Sequence, residues 1–92
     1  MGNLGGMYEK LGRIQEGAEM LEQASAIARA AGDSQYEATH CRNLGQAYLQ
    51  LMNPYGALSA FERAQHLQRE LGMAPDPQLE QMLGEIRKLL KR

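Results

Sequence analysis

Valine is absent from this sequence, and no stretch concentrates Val, Ile and Thr or alternates apolar with polar residues, so there is little from which to build strands. A single cysteine excludes an intrachain disulfide and with it a secreted cystine framework, which makes a reducing compartment, the cytoplasm, the expected location. No apolar run approaches the roughly 18 residues of a membrane span, and the start MGNLGGMYEK lacks the basic segment and apolar run of a signal peptide. Neither a membrane partner nor secretion is expected. Charge of one sign is lacking too: ten Lys and Arg stand against eleven Asp and Glu, a formal charge of -1, which argues against a protein that seeks polyanions. The chain has 92 residues, enough for one small domain and too few for two.

What the chain does have is internal repetition. A shift of forty residues lays Asn3-Leu4-Gly5 on Asn43-Leu44-Gly45 and Tyr8 on Tyr48. Leu11 then meets Leu51, Glu22 meets Glu62, Ala24 meets Ala64, Arg29 meets Arg69 and Gly32 meets Gly72. These are nine identities across positions 3 to 32, where about two are expected from ordinary residue frequencies.

Helix signals recur inside each unit. A first helix is expected over about 3–11, with Gly12 supplying a left-handed terminator, and a second over about 14–31, ended by Gly32. Ser34 with Glu37 three residues later reads as a capping box opening a third helix, which should end near Met52. Asn53-Pro54 and Asp76-Pro77 each pair an N-cap acceptor with a proline at the first helical position, opening helices that reach about Leu71 and Lys91. Arg87, Lys88, Lys91 and Arg92 suit the negative end of the last helix dipole.

Leu4, Tyr8 and Leu11 share one helical face, and Leu44, Tyr48 and Leu51 repeat it; Leu21, Ala24 and Ile27 likewise correspond to Phe61, Ala64 and Leu67. Large residues beside alanines let helices approach closely, and Gly5 and Gly45 are expected to serve the same approach, since glycine inside a helix otherwise costs about 1 kcal/mol. Met7, Met20 and Met82 are expected to fill gaps in the core.

On these residues the chain resembles the tetratricopeptide repeat family, in the forty-residue variety with an N-L-G-x-x-Y-x-x-L signature similar to that of LGN-type signalling adaptors and kinesin light chains. The resemblance covers residues 3 to 72. It implies an all-α, right-handed α-α superhelix of two helical hairpins plus a C-terminal capping helix: repeat 1 over about 1–32, repeat 2 over about 33–72 and the cap over about 76–91, together one domain spanning 1–92. Gly17, Met52 and Cys41 depart from the signature at packing positions. A shift of thirty-nine puts Leu83-Gly84 on Leu44-Gly45, which marks the last helix as a half-repeat covering the apolar end of the stack. Two and a half repeats fall short of the three that such stacks ordinarily need, which points to an excised piece of a longer array or to self-association.

The resemblance further implies a concave surface lined by the first helix of each pair, where polar residues contact an extended peptide or a helix of a partner protein. Those positions hold Asn3, Gly6 and Lys10 in the first unit and Thr39, Arg42, Asn43, Gln46 and Gln50 in the second. Asn43 leads, because an amide both donates to and accepts from a peptide bond, and Arg42 could fork onto a carboxylate, favouring an acidic peptide. Other partners considered are a second copy or the repeats of a parent chain. A regulatory or sensory segment of a signalling protein is the remaining alternative.

Catalytic, cofactor and metal sites are not expected. His40 and Cys41 are adjacent on a helix and point about 100 degrees apart, so the imidazole cannot take the thiol proton readily. Two histidines and one cysteine do not make a zinc spacing. Gly2, Gly5 and Gly6 fail as a phosphate loop, with no strand before them and no Lys-Ser/Thr after, and the four basic residues at the C-terminal end have no aromatic companion for nucleic acid.

Overall fold

The structure, a computed structural model, describes the backbone of residues 3–91 and the side chains of residues 10–91. Among these are four helices: α1 (Asn3–Ala30), α2 (Ser34–Gln50), α3 (Pro54–Glu70) and α4 (Pro77–Leu90). Each packs on the next in chain order, giving an all-α stack of 50 × 34 × 19 Å. Within it, α2 and α3 form the helical hairpin expected of the second unit.

The boundaries after residue 30 lie within a residue or two of expectation, and the reasons are those of the caps. Asn53 Oδ1 accepts from the Gly56 N–H at 3.0 Å, and Asp76 Oδ1 from the N–H groups of Gln78 at 3.0 Å and Leu79 at 3.4 Å, each with a proline at the following position. The start of α2 differs from the expected capping box. Asp33, not Ser34, is the N-cap, accepting from Tyr36 N–H at 3.2 Å, and Glu37 turns into the interior instead of reaching back to the helix end.

Three turns close alike. Asp33 N–H bonds to Ala28 C=O, Asn53 to Tyr48 and Met73 to Gln68, each at 2.8–3.0 Å, around a left-handed residue: Gly32 (φ 74°), Met52 (φ 59°) and Gly72 (φ 73°). These positions are spaced by twenty. Gly12 stands one further step back, yet α1 runs through it without a break, so the expected pair of helices over 3–11 and 14–31 is a single helix of 28 residues. A glycine permits the left-handed turn but does not impose it, and a helix continued through residue 12 keeps its backbone hydrogen bonds.

Two apolar clusters hold the stack. Cys41 of α2, Ala57, Phe61 and Ala64 of α3, and Leu79, Leu83 and Ile86 of α4 form one; Ala18, Leu44 and Ala60, with Leu21, Ala47, Tyr48 and Leu51 against them, form the other. Gly45 lies directly under the fully buried Phe61 ring, where a Cβ would stand 2.7 Å from ring carbons. The close approach expected at Gly45 is therefore present; its counterpart Gly5 lies outside the described side chains, as does Met7. Met82 is half-buried against the first cluster, but Met20 is 69% exposed and Ile27 70%, against the core positions expected for both.

Two substitutions test these points in thermal or urea unfolding. Gly45→Ala should destabilise by about 1–3 kcal/mol, because crowding of an immovable ring outweighs the ~1 kcal/mol gain in helix propensity. Met52→Gly should stabilise by about 1 kcal/mol, since Met52 is 89% exposed and its left-handed backbone is strained for an L-residue.

Candidate functional site

The packing that buries Glu37, Ala38, Cys41, Leu44 and Gly45 on one side of α2 leaves a polar stripe on the other. Thr39, Asn43, Gln46 and Gln50 follow one another at helical spacing and are all exposed. Thr39 Oγ1 donates to Gln35 C=O at 3.1 Å within the helix. No described residue pairs with the Asn43, Gln46 or Gln50 side chains.

Arg42, at the edge of this stripe, is occupied. Its Nη1 lies 3.0 Å from Asp76 Oδ2 and its Nη2 donates to Gln78 Oε1 at 3.1 Å, which ties the middle of α2 to the start of α4. Asp76 thus caps α4 with one oxygen and receives Arg42 on the other. A ligand carboxylate would compete with Asp76 for this guanidinium, although a planar fork with five N–H groups retains unused donors.

The residues expected in the first unit are not brought to this stripe by anything described. Lys10 is exposed on α1, seven residues from the start of that helix. Asn3 and Gly6 belong to the same helix and lie outside the described side chains. A shallow hollow of about 390 Å³ among Asp33, Gln35, Tyr36 and Thr39 adjoins the N-terminal end of the stripe. A larger trough, about 710 Å³, runs between Leu58 of α3 and Gly84 and Lys88 of α4, reaches Lys91 just past that helix, and shares no residue with the expected set.

Polar contacts that sequence inspection did not assign hold the helices behind the stripe. The Glu37 carboxylate, 2% exposed, accepts from Arg29 Nε of α1 at 2.8 Å, from Arg63 Nε of α3 at 2.9 Å and from Arg63 Nη2 at 3.3 Å. The Arg63 hydrogen bond is the main cause that lowers its pKa below the usual 4.5; burial pushes the other way, and Arg29 adds to the lowering. Tyr48 of α2 donates its hydroxyl to Glu22 Oε1 of α1, and burial followed by that bond pushes its pKa up to about 12. Tyr and Glu at these places recur in both units of the sequence, but their pairing crosses from one unit to the other and has no signature in either.

Neither neighbour in the His40-Cys41 pair has a chemical setting. Cys41 is buried in the apolar cluster, where burial and then the Glu37 charge raise its pKa and keep it protonated. His40 stacks on Tyr36 with ring centroids 6.1 Å apart, and its Nδ1 has no hydrogen-bond partner among the described residues.

Repeated helices in sequential contact, a small-residue seam and an exposed polar face define a helical-repeat scaffold. The profile of one family, the tetratricopeptide repeat, matches residues 1–72, and the chain belongs to that family, whose members are generally protein–protein interaction modules. No curated protein and no solved structure matches the chain. No helix among the described residues is long and apolar enough to cross a membrane.

The Glu37 clamp makes stability depend on acid. Because the folded pKa is depressed, the unfolded chain takes up the proton at higher pH than the folded one, so the stabilisation is complete above about 4.5 and is lost as pH falls through the folded value. Urea unfolding between pH 7 and pH 3 should show Glu37→Gln weakened by about 1–3 kcal/mol at pH 7, with a shallower loss towards acid than the parent chain.

Proposed function

We propose that the chain is a non-catalytic protein-interaction module that takes an extended peptide or a helix of a partner protein along the polar face of α2. The observation that carries this reading is the run of amides at Asn43, Gln46 and Gln50 that have no partner among the described residues, solvent-facing on a helix whose opposite side is locked in the core. Amides at one-turn spacing can pair with successive peptide groups of a ligand without demanding a particular side chain. Arg42 adds a preference for an acidic residue near the α4 end, gained by sharing or displacing Asp76. Thr39 lies at the opposite end beside the Asp33–Tyr36 hollow.

In this reading residues 1–92 act as one unit, with repeats over about 1–32 and 33–72 and the cap over 76–91. The inner-face positions Asn3, Gly6 and Lys10 extend the surface wherever a first helix pair is completed. The lone buried thiol suits a reducing compartment, and the recurrent N-L-G signature supports an adaptor role like that of the LGN-type and kinesin light chain repeats.

The test is selection of peptides from a displayed library of random 16-residue sequences on the immobilised chain, followed by anisotropy titration of the peptides recovered. Asn43→Ala and Gln46→Ala should each weaken binding about tenfold while helicity and Tm stay within error of the parent, because both side chains are exposed. Unchanged affinity in both variants would reject the α2 face as the binding surface.

A further inference from the structure

The trough between α3 and α4 repeats, residue by residue, the surface on which α3 itself rests. Its Leu58 stands forty residues after Ala18, and its Gly84, Arg87 and Leu90 stand thirty-nine after Gly45, Tyr48 and Leu51. Those four earlier residues carry α3: Ala18 and Leu51 pack in one cluster with Ala60, Gly45 lies under Phe61, and a Cβ at Gly56 would stand 3.1 Å from the Tyr48 ring. A Cβ at Gly45 would strike Phe61, whereas one at Gly84 would meet nothing within 4 Å. The trough is thus built as a helix seat and is open to solvent.

At the other end of the stack, one flank of α1 repeats the face that α3 gives to its seat. Gly17, Met20, Ala24 and Ile27 follow at helical spacing, forty residues before Ala57, Ala60, Ala64 and Leu67. The later four are at most 7% exposed, but Gly17 and Ala24 are only half-buried, and Met20 and Ile27 are 69% and 70% exposed. Ala18, buried beside Leu44, and Met20 point about 160 degrees apart on α1, so one helix can serve α2 and a further neighbour at once. Because α1 continues unbroken through Gly12, the stretch before it runs on along the axis and does not fold back over this flank.

We propose that the two surfaces are partners in a head-to-tail contact between copies. In it α1 of one copy lies antiparallel on α4 and α3 of the next, as α3 lies on α2 and α1 within the chain. The register comes from the Tyr48–Gly56 approach. Moved forward by thirty-nine residues on one copy and back by forty on the other, it sets Arg87 opposite Glu16, exposed residues of opposite charge, with Lys88 alongside. Met20 then comes level with Leu83 and Gly84, where the wide trough takes its longer side chain in place of an alanine. Arg13 comes level with Leu90, at the exposed margin of the contact, and Leu21 keeps its packing on Leu44 in its own chain. Joining unlike surfaces leaves every pair with one of each still open, so the stack propagates.

Sedimentation of the full chain from micromolar to millimolar concentration should give a mass that rises past that of a dimer. Met20→Lys on the flank and Gly84→Lys in the seat should each weaken association about tenfold or more. Tm should stay near that of the parent, since Met20 is exposed and position 84 is open. An equimolar mixture of the two variants should form a one-to-one dimer and stop there, because each supplies one intact surface. A monomer at every concentration, saturation of the unmodified chain at a dimer, parent-like assembly of either variant, or no dimer in the mixture would each overturn the proposal. Neither substitution touches Asn43 or Gln46, so the outcome stands apart from that of the peptide titrations.

Discussion

A buried carboxylate held between two guanidiniums sets the relation of the first three helices. Glu37 is almost wholly removed from water, a position that would be costly if it were alone and is compensated by hydrogen bonds from Arg29 and Arg63. The arginines remain partly exposed, 59% and 37% for their side chains, so water continues to solvate the positive charges while the negative one is enclosed. The helices are thereby fixed to a geometry in which one point on α2 is reachable from α1 and from α3 at once.

Both ends of the stack combine apolar packing with ion pairs or polar bonds, in different proportions. At the C-terminal end, Leu79, Leu83 and Ile86 of α4 bury against Phe61, a contact that salt and mild acid leave alone. At the other end the described buried residues of α1 are small, Ala18, Ser25 and Ala28, and beside the half-buried Leu21 on Leu44 its hold on α2 includes the Arg29–Glu37 and Glu22–Tyr48 bonds. Small residues permit close approach but bury little apolar area, so α1 is the helix whose attachment responds to charge. The same arrangement accounts for its free flank: α1 gives its small face to α2 and keeps Met20 and Ile27 outside.

Helix existence and the later caps were legible in the sequence because they depend on nearest neighbours: Asn53-Pro54, Asp76-Pro77, Gly32 and Gly72 act over one turn. The close packing at Gly45 was legible because the repeat doubled the signal. Gly12 was misleading for the opposite reason, since a left-handed residue is an option that tertiary contacts must select, and no described contact of α1 selects it. Glu37 was misread as a capping residue because first-turn acids ordinarily serve helix ends, and only the arrival of Arg63, twenty-six residues on, turns it inward. At the candidate site, helical spacing located the α2 stripe, whereas the engagement of Arg42 by Asp76 joins parts of the chain whose proximity no local pattern records.

Cys41 has a consequence of its own. The only thiol of the chain sits where α2, α3 and α4 meet, 4% exposed and held in its unreactive protonated form. A thiol reagent can therefore reach it only when that seam parts, and its labelling rate, relative to a free cysteine, measures how often the cap lifts. Each tenfold slowing corresponds to about 1.4 kcal/mol of opening free energy, so this natural sulfur is an internal gauge of how firmly the last helix closes the stack.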